Sequence, residues 1–497
     1  MQNNNLYYQS TRGDKKRVLS AEAVIKGIAD DGGLFVPETI PQTNKDLYRL
    51  KSTDYKELAF SIIKKFFTDY HQDELKDSIN RAYDNKFDTE IIAPLSKKMG
   101  VYFLELYHGP TLAFKDMALS LLPHLLKKAA QKLGLYQEIV ILTATSGDTG
   151  KAALQGFANV DGTKIIVFFP YKGVSKIQER QMLAQQGANT YVIALKGNFD
   201  DAQRGVKEIF EDTVFNKKMG EKNYIFSSAN SINIGRLIPQ IVYYFYAYLN
   251  MLGEGEIKNG EKINITVPTG NFGDILAAYY AKEMGLPVNK LICASNENKV
   301  LADFFETGVY DIRRKLVMTI SPSMDILVSS NLERLLWTIS EREAQKVKEL
   351  MDSLKEKGYY RIGSEMKKKL KDFYGGFVSQ EESRQCIKEI FDKSKYLIDP
   401  HTAVAYAVYK KYVKETGDKT RTIIVATASP FKFTKSVMES IDSQYKKFDD
   451  FELIEKMSDL VQIPIPLGIR DIEKKTIRHK IVCEKEEMRT KITEILN

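Results

Sequence analysis

The stretch INITVPTGNFGDILAAYYAK, residues 263–282, contains a short apolar run, a glycine-rich turn and a run with helical spacing. The same order recurs in EIVILTATSGDTGKAAL, residues 138–154, and in TIIVATASPFKFTKSVMESI, residues 422–441. Strands that alternate with helices of about 10–15 residues are typical of βαβ units. The sequence therefore predicts an α/β protein with largely parallel sheet.

The length of the chain indicates more than one domain. A chain of 497 residues is too long for a single hydrophobic core, so two or three domains are expected. The first 85 residues or so contain short helices and turns. The alternation starts near residue 101 and blurs between about 331 and 395, which predicts a smaller subdomain inserted in a larger one.

Composition limits the classes of partner. The net charge is +8, and the lysines are spread along helical faces, so nucleic-acid binding is not expected. No apolar run reaches the roughly 18 residues of a membrane-spanning helix, and residues 1–18 contain no apolar signal segment. Three distant cysteines without a CxxC pattern indicate neither a disulfide framework nor a metal site. We expect a cytoplasmic protein without a membrane partner.

The turn PTGNFGD, residues 268–274, is a candidate anion site. Gly270 and Gly273 allow the backbone to approach a ligand closely, and a helix that starts near Asp274 directs its free N–H groups at the loop. A phosphate group suits such a loop. The alternative is a tight strand-to-helix turn without a ligand.

The turn TATSGDTGK, residues 143–151, differs from a nucleotide-binding P-loop. Thr145 stands where that motif has its first glycine, and Ala152 follows Lys151 in place of Ser or Thr. The hydroxyls of Thr145, Ser146 and Thr149 at a helix start suit a carboxylate ligand. Ordinary helix capping is the alternative.

Lys115 lies in HGPTLAFKD, residues 108–116, after an apolar run. It is either a lysine that extends its amine to solvent or one kept out of water as a nucleophile. A lysine Schiff base and a nest of backbone N–H groups are how pyridoxal phosphate (PLP) is held. A semi-buried lysine with two such loops therefore indicates a PLP site.

These motifs resemble those of threonine synthases. The chain contains, in the order found in that family, HGPTLAFKD, TSGDTG, SSANSINIGRLIPQ, PTGNFGD, DPHTAVAY and ATASPFKF. Near the start, STRG and IADDGGLFVPE resemble the N-terminal segment of the family. The resemblance covers about residues 10–440.

The resemblance implies the tryptophan-synthase-like fold of PLP fold type II. That fold has two open, twisted, mainly parallel sheets flanked by helices, with a small, mostly helical N-terminal domain at residues 1–85. The PLP-dependent core would cover residues 86–440, with a smaller subdomain inserted at about 116–230. Residues 441–497 would form a C-terminal extension.

The resemblance also implies roles for individual residues. Lys115 corresponds to the catalytic lysine that bonds to PLP and later moves protons. Cofactor-binding residues are implied at Lys115, Gly270, Asn271, Phe272, Gly273, Asp274 and Thr427, the last facing the ring nitrogen. Substrate-binding residues are expected at Thr145, Ser146, Gly147, Asp148, Thr149, Asn230, Ser231, Asn233 and Arg236.

The implied reaction converts O-phospho-L-homoserine and water to L-threonine and phosphate, in a monomer or homodimer without a metal. The candidate cations for the phosphate are Arg236, Lys172, Lys176 and Lys432. Arg236 is favoured because a guanidinium binds phosphate with two hydrogen bonds, although an exposed helix arginine is the plain alternative.

The resemblance does not assign a role to three residues in these motifs. Ser429 departs from the family pattern, because many relatives have a histidine there. His108 and His401 lie in family motifs, and for both a structural hydrogen bond is the commoner role.

Other interpretations stay open at this point. Another fold-type-II enzyme, such as a dehydratase or an O-acyl-serine sulfhydrylase, would share the lysine and the glycine loop. A non-catalytic amino-acid or phosphate sensor could keep the fold. An ATP-dependent enzyme is disfavoured by the broken P-loop pattern.

Overall fold

The computed structural model describes residues 5–43, 54–145, 147–171 and 173–497. In chain order the strands are β1 (Tyr8–Ser10), β2 (Phe35–Pro37), β3 (Leu95–Lys98), β4 (Val101–Glu105), β5 (Glu138–Ala144), β6 (Thr163–Pro170), β7 (Thr190–Leu195), β8 (Tyr224–Ser227), β9 (Ile263–Pro268), β10 (Val288–Ser295), β11 (Val309–Asp311), β12 (Tyr359–Arg361), β13 (Phe373–Phe377), β14 (Thr422–Ala426) and β15 (Ile481–Cys483). Most of these strands alternate with helices, as the sequence predicts.

The helices follow the same chain order. They are α1 (Ser20–Lys26), α2 (Tyr55–Ile63), α3 (Gln72–Ala82), α4 (Lys115–Leu119), α5 (Leu122–Lys132), α6 (Asp148–Phe157), α7 (Lys176–Leu183), α8 (Phe199–Glu211), α9 (Thr213–Glu221), α10 (Ile234–Gly253), α11 (Gly273–Glu283), α12 (Val300–Thr307), α13 (Leu332–Ile339), α14 (Ala344–Lys357), α15 (Ser364–Lys368), α16 (Gln380–Ser394), α17 (Pro400–Thr416), α18 (Thr434–Ile441), α19 (Asp450–Val461) and α20 (Met488–Leu496). No helix among the described residues is long and apolar enough to cross a membrane.

The larger sheet has the strand order β13–β10–β9–β14–β4–β3. Every pair in it is parallel except β3–β4. All residues of β9 and β14 are buried, which is the pattern of strands covered on both faces. Helices α11 and α17 both pack on β9 and β10. The carboxyl ends of β4, β14 and β9 therefore lie side by side.

The smaller sheet is fully parallel, with the order β15–β7–β6–β5–β8. Helix α8 packs on β5 and β6, and α6 packs on β6. Its edge strand β15 lies within the last 20 residues of the sequence and pairs with β7. The last part of the chain thus completes a sheet whose other strands lie between residues 138 and 227. The domain boundaries at residues 85 and 440 stay a prediction.

The N-terminal residues pack against the helices around the larger sheet. Strands β1 and β2 form an antiparallel pair, α1 and α3 pack on α5, and α2 packs on α10. The Tyr8 hydroxyl is buried and donates to the Phe66 carbonyl at 3.0 Å. The apolar residues of this region belong to the same core cluster as α10 and β9.

Strand β13 was not evident in the charged stretch that precedes α16. Its sequence, FYGGF, contains two glycines, which are depleted in strands. At Gly375 a Cβ atom would lie 3.0 Å from the Cα of Ala302, at the start of α12. The glycine is therefore required by the close packing of α12 on this edge of the sheet, which composition alone does not reveal.

A close helix contact connects the fold to the candidate site. A Cβ atom added to Gly156 in α6 would lie 2.1 Å from the carbonyl oxygen of Leu119, at the end of α4. Helix α4 starts with Lys115 and α6 starts with Asp148. The distance between those two functional candidates therefore depends on a crossing that tolerates no side chain.

We predict that Gly156→Ala lowers the free energy of unfolding by about 1–3 kcal/mol, because an overpacked contact forces the backbone to shift. The matched control is Gly220→Ala in α9, where an added Cβ meets no atom of the described residues within 4 Å. That variant should gain roughly 0.5–1 kcal/mol from reduced backbone freedom. Urea unfolding of both variants measures the difference, and equal stabilities would contradict the close contact.

Candidate active site

Lys115 and Asp148 follow strands of the two different sheets, and their side chains meet beyond the carboxyl ends of those strands. Lys115 begins α4, and Asp148 begins α6 shortly after β5. Both side chains are buried, and Lys115 Nζ donates to Asp148 Oδ2 at 3.3 Å. Since ligands of open α/β sheets bind beyond the carboxyl ends of strands, this contact marks the candidate site.

The backbone before Lys115 is bonded to the segment after β14. The Phe114 N–H donates to the Thr427 carbonyl at 2.8 Å, and the Ser429 N–H donates to the Leu112 carbonyl at 3.0 Å. Leu112 has φ +61°, in the left-handed region that few non-glycine residues adopt. These bonds fix the start of α4 and place Thr427 beside the lysine loop.

The Lys115 amine is buried among other charges. Burial lowers its pKa, the Asp148 carboxylate opposes that shift, and the charges of Lys432 and Arg236 add to it. The net result is a pKa below the ordinary value for lysine. A lowered pKa increases the fraction of neutral amine, which is the form that acts as nucleophile or base.

Asp148 is held as a carboxylate. Lys432 Nζ lies 2.5 Å from its Oδ1 atom, and Gln178 Nε2 donates to the same oxygen at 2.8 Å. Burial alone would raise the pKa of Asp148, but the charges of Lys432 and Lys115 outweigh it and hold that pKa far below its usual range. Asp148 therefore accepts hydrogen bonds and does not supply protons near neutral pH.

The glycine loop after β9 is pressed against a short turn at Pro322–Met324. A Cβ atom on Gly270 would lie 2.5 Å from the Ser323 carbonyl oxygen. The Ser329 hydroxyl donates to the Gly270 carbonyl at 2.6 Å, and Phe272 has φ +65°. Helix α11 then begins at Gly273, so its free N–H groups point toward this loop.

The Asp274 side chain is directed toward α10. Its Oδ1 atom accepts hydrogen bonds from the hydroxyls of Tyr243 and Tyr244, the latter at 2.6 Å, and its Oδ2 atom has no partner among the described residues. Burial raises the pKa of Asp274 to about 6, although the tyrosines and the charge of Lys115 oppose that shift. The Asp274 carboxyl group is therefore not a ligand for an anion. The backbone N–H of Asp274, at the start of α11, is the group that suits one.

In the loop after β5, the Thr145 hydroxyl is occupied by hydrogen bonds to the backbone of the same loop. Thr145 Oγ1 accepts from the N–H groups of Gly147 and Gly150, at 2.9 and 2.8 Å. Gly147 has φ +134°, and a Cβ there would lie 2.6 Å from the Gln178 side chain. Thr149 is half-buried in the first turn of α6, and Ser146 lies outside the described residues. The start of α6 and Thr149 stay available to a ligand.

Comparison with known proteins fits this geometry. Residues 7–83 match the family described as threonine synthase N terminus, residues 87–428 match pyridoxal-phosphate dependent enzyme, and residues 402–479 match threonine synthase, C-terminal. The threonine synthase of Saccharomyces cerevisiae is 36% identical over 472 residues, which cover 89% of this chain and 90% of that protein. The chain belongs to the threonine synthase family.

A solved threonine synthase and a longer relative complete the comparison. The crystal structure of PLP-bound threonine synthase from Brucella melitensis superposes with a TM-score of 0.86 at 33% identity, and covers 99% of this chain and 100% of that one. Threonine synthase-like 1 of Homo sapiens is 40% identical over 435 residues, 85% of this chain. The match covers 58% of that protein, so the chain spans less than two thirds of this relative. The two-sheet PLP fold expected from the threonine synthase motifs is confirmed.

The polar side chains of the threonine synthase motif SSANSINIGRLIPQ, residues 227–240, differ in how many hydrogen bonds they make within the protein. Asn233 caps α10: its Nδ2 atom donates to the carbonyls of Val24 and Ser228 at 2.9 and 3.1 Å, and its Oδ1 atom accepts from the Gly235 N–H at 2.9 Å. Those bonds occupy the Asn233 side chain. Asn230 and Ser231 are half-buried, and Ser231 lies beside Gly273.

Arg236 is the buried cation with spare donors. Its Nη1 atom donates to the Ala229 carbonyl at 3.0 Å, whereas its Nε atom has no partner among the described residues. Burial lowers its pKa to about 10, so the side chain keeps its charge near neutral pH. A buried guanidinium that has no carboxylate partner within the described ranges suits an anionic ligand.

Two of the other three candidate cations for the substrate phosphate lie among the described residues. Lys432 is fully buried and is committed to Asp148 and to the Thr111 carbonyl, at 2.9 Å from the latter. Lys176 is exposed at the start of α7, and Lys172 lies outside the described residues.

The two motif histidines make hydrogen bonds within the protein. His108 contacts Asp88 and Glu105 at 2.6 and 2.9 Å, and those carboxylates outweigh its burial and raise its pKa to about 9. His401 bonds to Asp399 and to the backbone of Ser323. The Ser429 hydroxyl accepts from the Phe431 N–H at 3.3 Å and starts the turn that carries Lys432.

Ser323 was missed by the sequence analysis of this threonine synthase family member. Its hydroxyl lies 3.3 Å from Lys115 Nζ and 3.3 Å from Asp148 Oδ2. It belongs to the stretch SPSMD, in a region between strand-and-helix units where the motifs give no anchor. The Pro and Ser content predicts a turn there, but not a turn that enters the site.

Lys151 is a second buried lysine near this site. Its Nζ atom donates to Gln155 Oε1 at 3.2 Å and to Gln185 Oε1, both neutral acceptors. Burial lowers its pKa to about 7, although the charge of Asp116 opposes that shift. In the unfolded chain the amine would titrate near its ordinary value, so the folded protein binds fewer protons between roughly pH 7 and pH 10.

We predict that the stability of the protein rises with pH across that window because of Lys151. Below pH 7 the charged amine is buried at a cost, and above pH 10 it is neutral in both states. Lys151→Met lacks this titration. Between pH 7 and pH 10, the native chain should therefore gain on the order of a few kcal/mol of unfolding free energy relative to Lys151→Met. Urea unfolding across the pH range checks it, and a constant difference would contradict the pKa.

Proposed function

We propose that this chain is a PLP-dependent threonine synthase that converts O-phospho-L-homoserine and water to L-threonine and phosphate. The observation that carries the proposal is the Lys115 amine, buried beside Asp148 and with its pKa lowered by burial. Relatives named threonine synthase that match nearly nine-tenths of the chain support the same reaction. The cytoplasmic location and the monomeric or dimeric state stay predictions.

The residues of the site fit PLP. The glycine loop leads into α11, whose first N–H groups have no acceptor within the helix. Because Gly270 has no Cβ atom, the loop can lie against the Pro322–Met324 turn. We propose that Gly270, Asn271, Phe272, Gly273 and the backbone of Asp274 hold the cofactor phosphate. Lys115 would bond to the cofactor, and Thr427, buried beside the lysine loop, would face the ring nitrogen.

Lys115 would move the protons of the reaction. When bound, the cofactor supplies an aldehyde that captures amines and a ring that delocalises the negative charge left when a proton leaves the substrate α-carbon. Lys115 takes that proton because its lowered pKa leaves more of the amine neutral. Asp148, held as a carboxylate by Lys432, accepts a Lys115 N–H and so fixes the amine on this side of the site.

The anionic ends of the substrate would bind at two places. The first turn of α6 offers the backbone N–H groups of Asp148 and Thr149 and the Thr149 hydroxyl to the substrate carboxylate, whereas the Gly147 N–H is bonded to Thr145 Oγ1. The buried Nε atom of Arg236 has no partner in the part of the chain that the structure describes, and we propose that Arg236 binds the phosphate group that leaves the γ-carbon. Asn230 and Ser231, half-buried before α10, would line the same side.

Lys115→Ala should abolish the covalent cofactor adduct and slow phosphate release from O-phospho-L-homoserine by roughly 10²–10⁴-fold, since the general base is lost. Mass spectrometry of borohydride-reduced protein should locate a pyridoxyl group on Lys115. Lys151→Met, which removes the other buried lysine, should keep the adduct.

The competing interpretations give other results in the same experiment. Ammonia release from serine or threonine, without phosphate release from O-phospho-L-homoserine, would favour a dehydratase. A protein that forms the adduct and turns over none of these compounds would be a sensor, and an adduct at another lysine would overturn the assignment of Lys115.

Arg236→Met should raise KM for O-phospho-L-homoserine by roughly 10- to 100-fold, because hydrogen bonds to charged groups contribute about 1.5–3 kcal/mol. The absorbance of the bound cofactor should not change. Steady-state phosphate release with a parallel thermal melt separates binding from folding. An unchanged KM together with a lowered Tm would assign Arg236 to packing alone.

A further inference from the structure

We propose that Ser323 is a positioning residue for the Lys115 amine, fixing its rotation so that the lone pair is presented for bond formation and proton transfer. This inference rests on the proposed function, since it assigns a task to a residue in the same site. Nothing in the sequence motifs points to Ser323.

Three polar atoms form a triangle with equal sides. Lys115 Nζ lies 3.3 Å from Asp148 Oδ2 and 3.3 Å from Ser323 Oγ, and Ser323 Oγ lies 3.3 Å from Asp148 Oδ2. Because Asp148 is a carboxylate, it can only accept, so the Ser323 hydroxyl donates to it. The lone pairs of Ser323 Oγ are then free to accept from the Lys115 amine.

This arrangement matches the needs of a neutral amine. An uncharged lysine has two N–H donors and one lone pair. A single acceptor leaves the amine free to rotate about the last bond of the side chain, whereas two acceptors on one side, Asp148 and Ser323, fix both N–H groups. The remaining lone pair then points away from the two acceptors, where a substrate or cofactor atom can meet it.

The turn that carries Ser323 is anchored by a buried histidine. The Ser323 N–H donates to His401 Nε2 at 3.2 Å, and His401 Nδ1 lies 2.5 Å from Asp399 Oδ2. Because a backbone N–H can only donate, Nε2 is the acceptor and the ring hydrogen is on Nδ1. Asp399 also caps α17 by accepting from the N–H groups of His401 and Thr402. The position of Ser323 is thus tied to the start of a long helix.

The other side of the turn is held by a buried polar cluster. Asp325 accepts from the N–H and the hydroxyl of Thr319, both at 2.7 Å, and from Asn296 Nδ2 at 2.8 Å. The Ser323 carbonyl occupies the space beside Gly270. One residue therefore touches both the amine and the glycine loop, and its backbone has little freedom to move.

The test uses the full-length chain stripped of cofactor and compares its rate of PLP uptake with that of two Ser323 variants. Uptake is followed by the absorbance of the lysine-bound cofactor, which needs the Lys115 lone pair but no substrate. Ser323→Ala should slow uptake by about three- to tenfold, the effect of one lost hydrogen bond. Ser323→Thr keeps a hydroxyl and should stay within twofold of the native chain.

Two further measurements separate positioning from folding. With O-phospho-L-homoserine, Ser323→Ala should lower kcat by a similar factor and leave KM unchanged within twofold. The control is Ser340→Ala, which removes another buried hydroxyl, bonded to the Trp337 carbonyl at 3.0 Å. Ser340→Ala should lower Tm without changing PLP uptake.

Each other outcome overturns the inference. Uptake by Ser323→Ala at the native rate would mean that the hydroxyl does not position the amine, and equal slowing in Ser323→Ala and Ser323→Thr would assign the effect to the shape of the turn. A native chain that takes up no PLP on Lys115 would overturn the proposed function and this inference together. If the native chain takes up PLP on Lys115 and Ser323→Ala does so at the same rate, this inference alone is overturned.

Discussion

The buried ion pair between Asp148 and Lys432 is the interaction on which the site depends. Asp148 follows β5 of the smaller sheet and Lys432 follows β14 of the larger one, so the pair joins two separate layers of the fold. Removing one partner of a buried pair typically costs about 3–5 kcal/mol, because the other charge is left without compensation. Each partner has a further hydrogen bond, because Gln178 donates to Asp148 and Lys432 donates to the Thr111 carbonyl. With those bonds in place, a second lysine can lie beside the same carboxylate with a lowered pKa.

The sequence predicted those features of the site that depend on backbone conformation and on the order of the motifs along the chain. The glycines at 270 and 273 indicated a close approach, and in the structure Gly270 has no space for a side chain. The alternation of strands and helices predicted the parallel sheets. The apolar run before Lys115 left two alternatives, an amine extended to solvent or a buried one, and in the structure Lys115 is buried. These features follow from local physical constraints that a sequence displays directly.

Other parts were not predictable, because they depend on what a side chain meets in the folded state. Thr145 and Asn233 have the residue type of a ligand-binding group, yet their polar atoms make bonds that shape a loop and cap a helix. Ser323 has no motif, and its contact with Lys115 joins residues more than two hundred positions apart. The strand β13 is rich in glycine because of α12, a neighbour that the local sequence does not identify.

The position of β15 has a consequence for how the protein is made. It forms the edge of the smaller sheet and pairs Ile481 with Ile193, a partner synthesised much earlier. While a ribosome is still translating the intervening residues, β7 exposes a row of unpaired backbone groups. Such an open edge is a template for pairing with other chains. The nascent chain therefore passes through a long interval in which the outer edge of β7 is open to other strands.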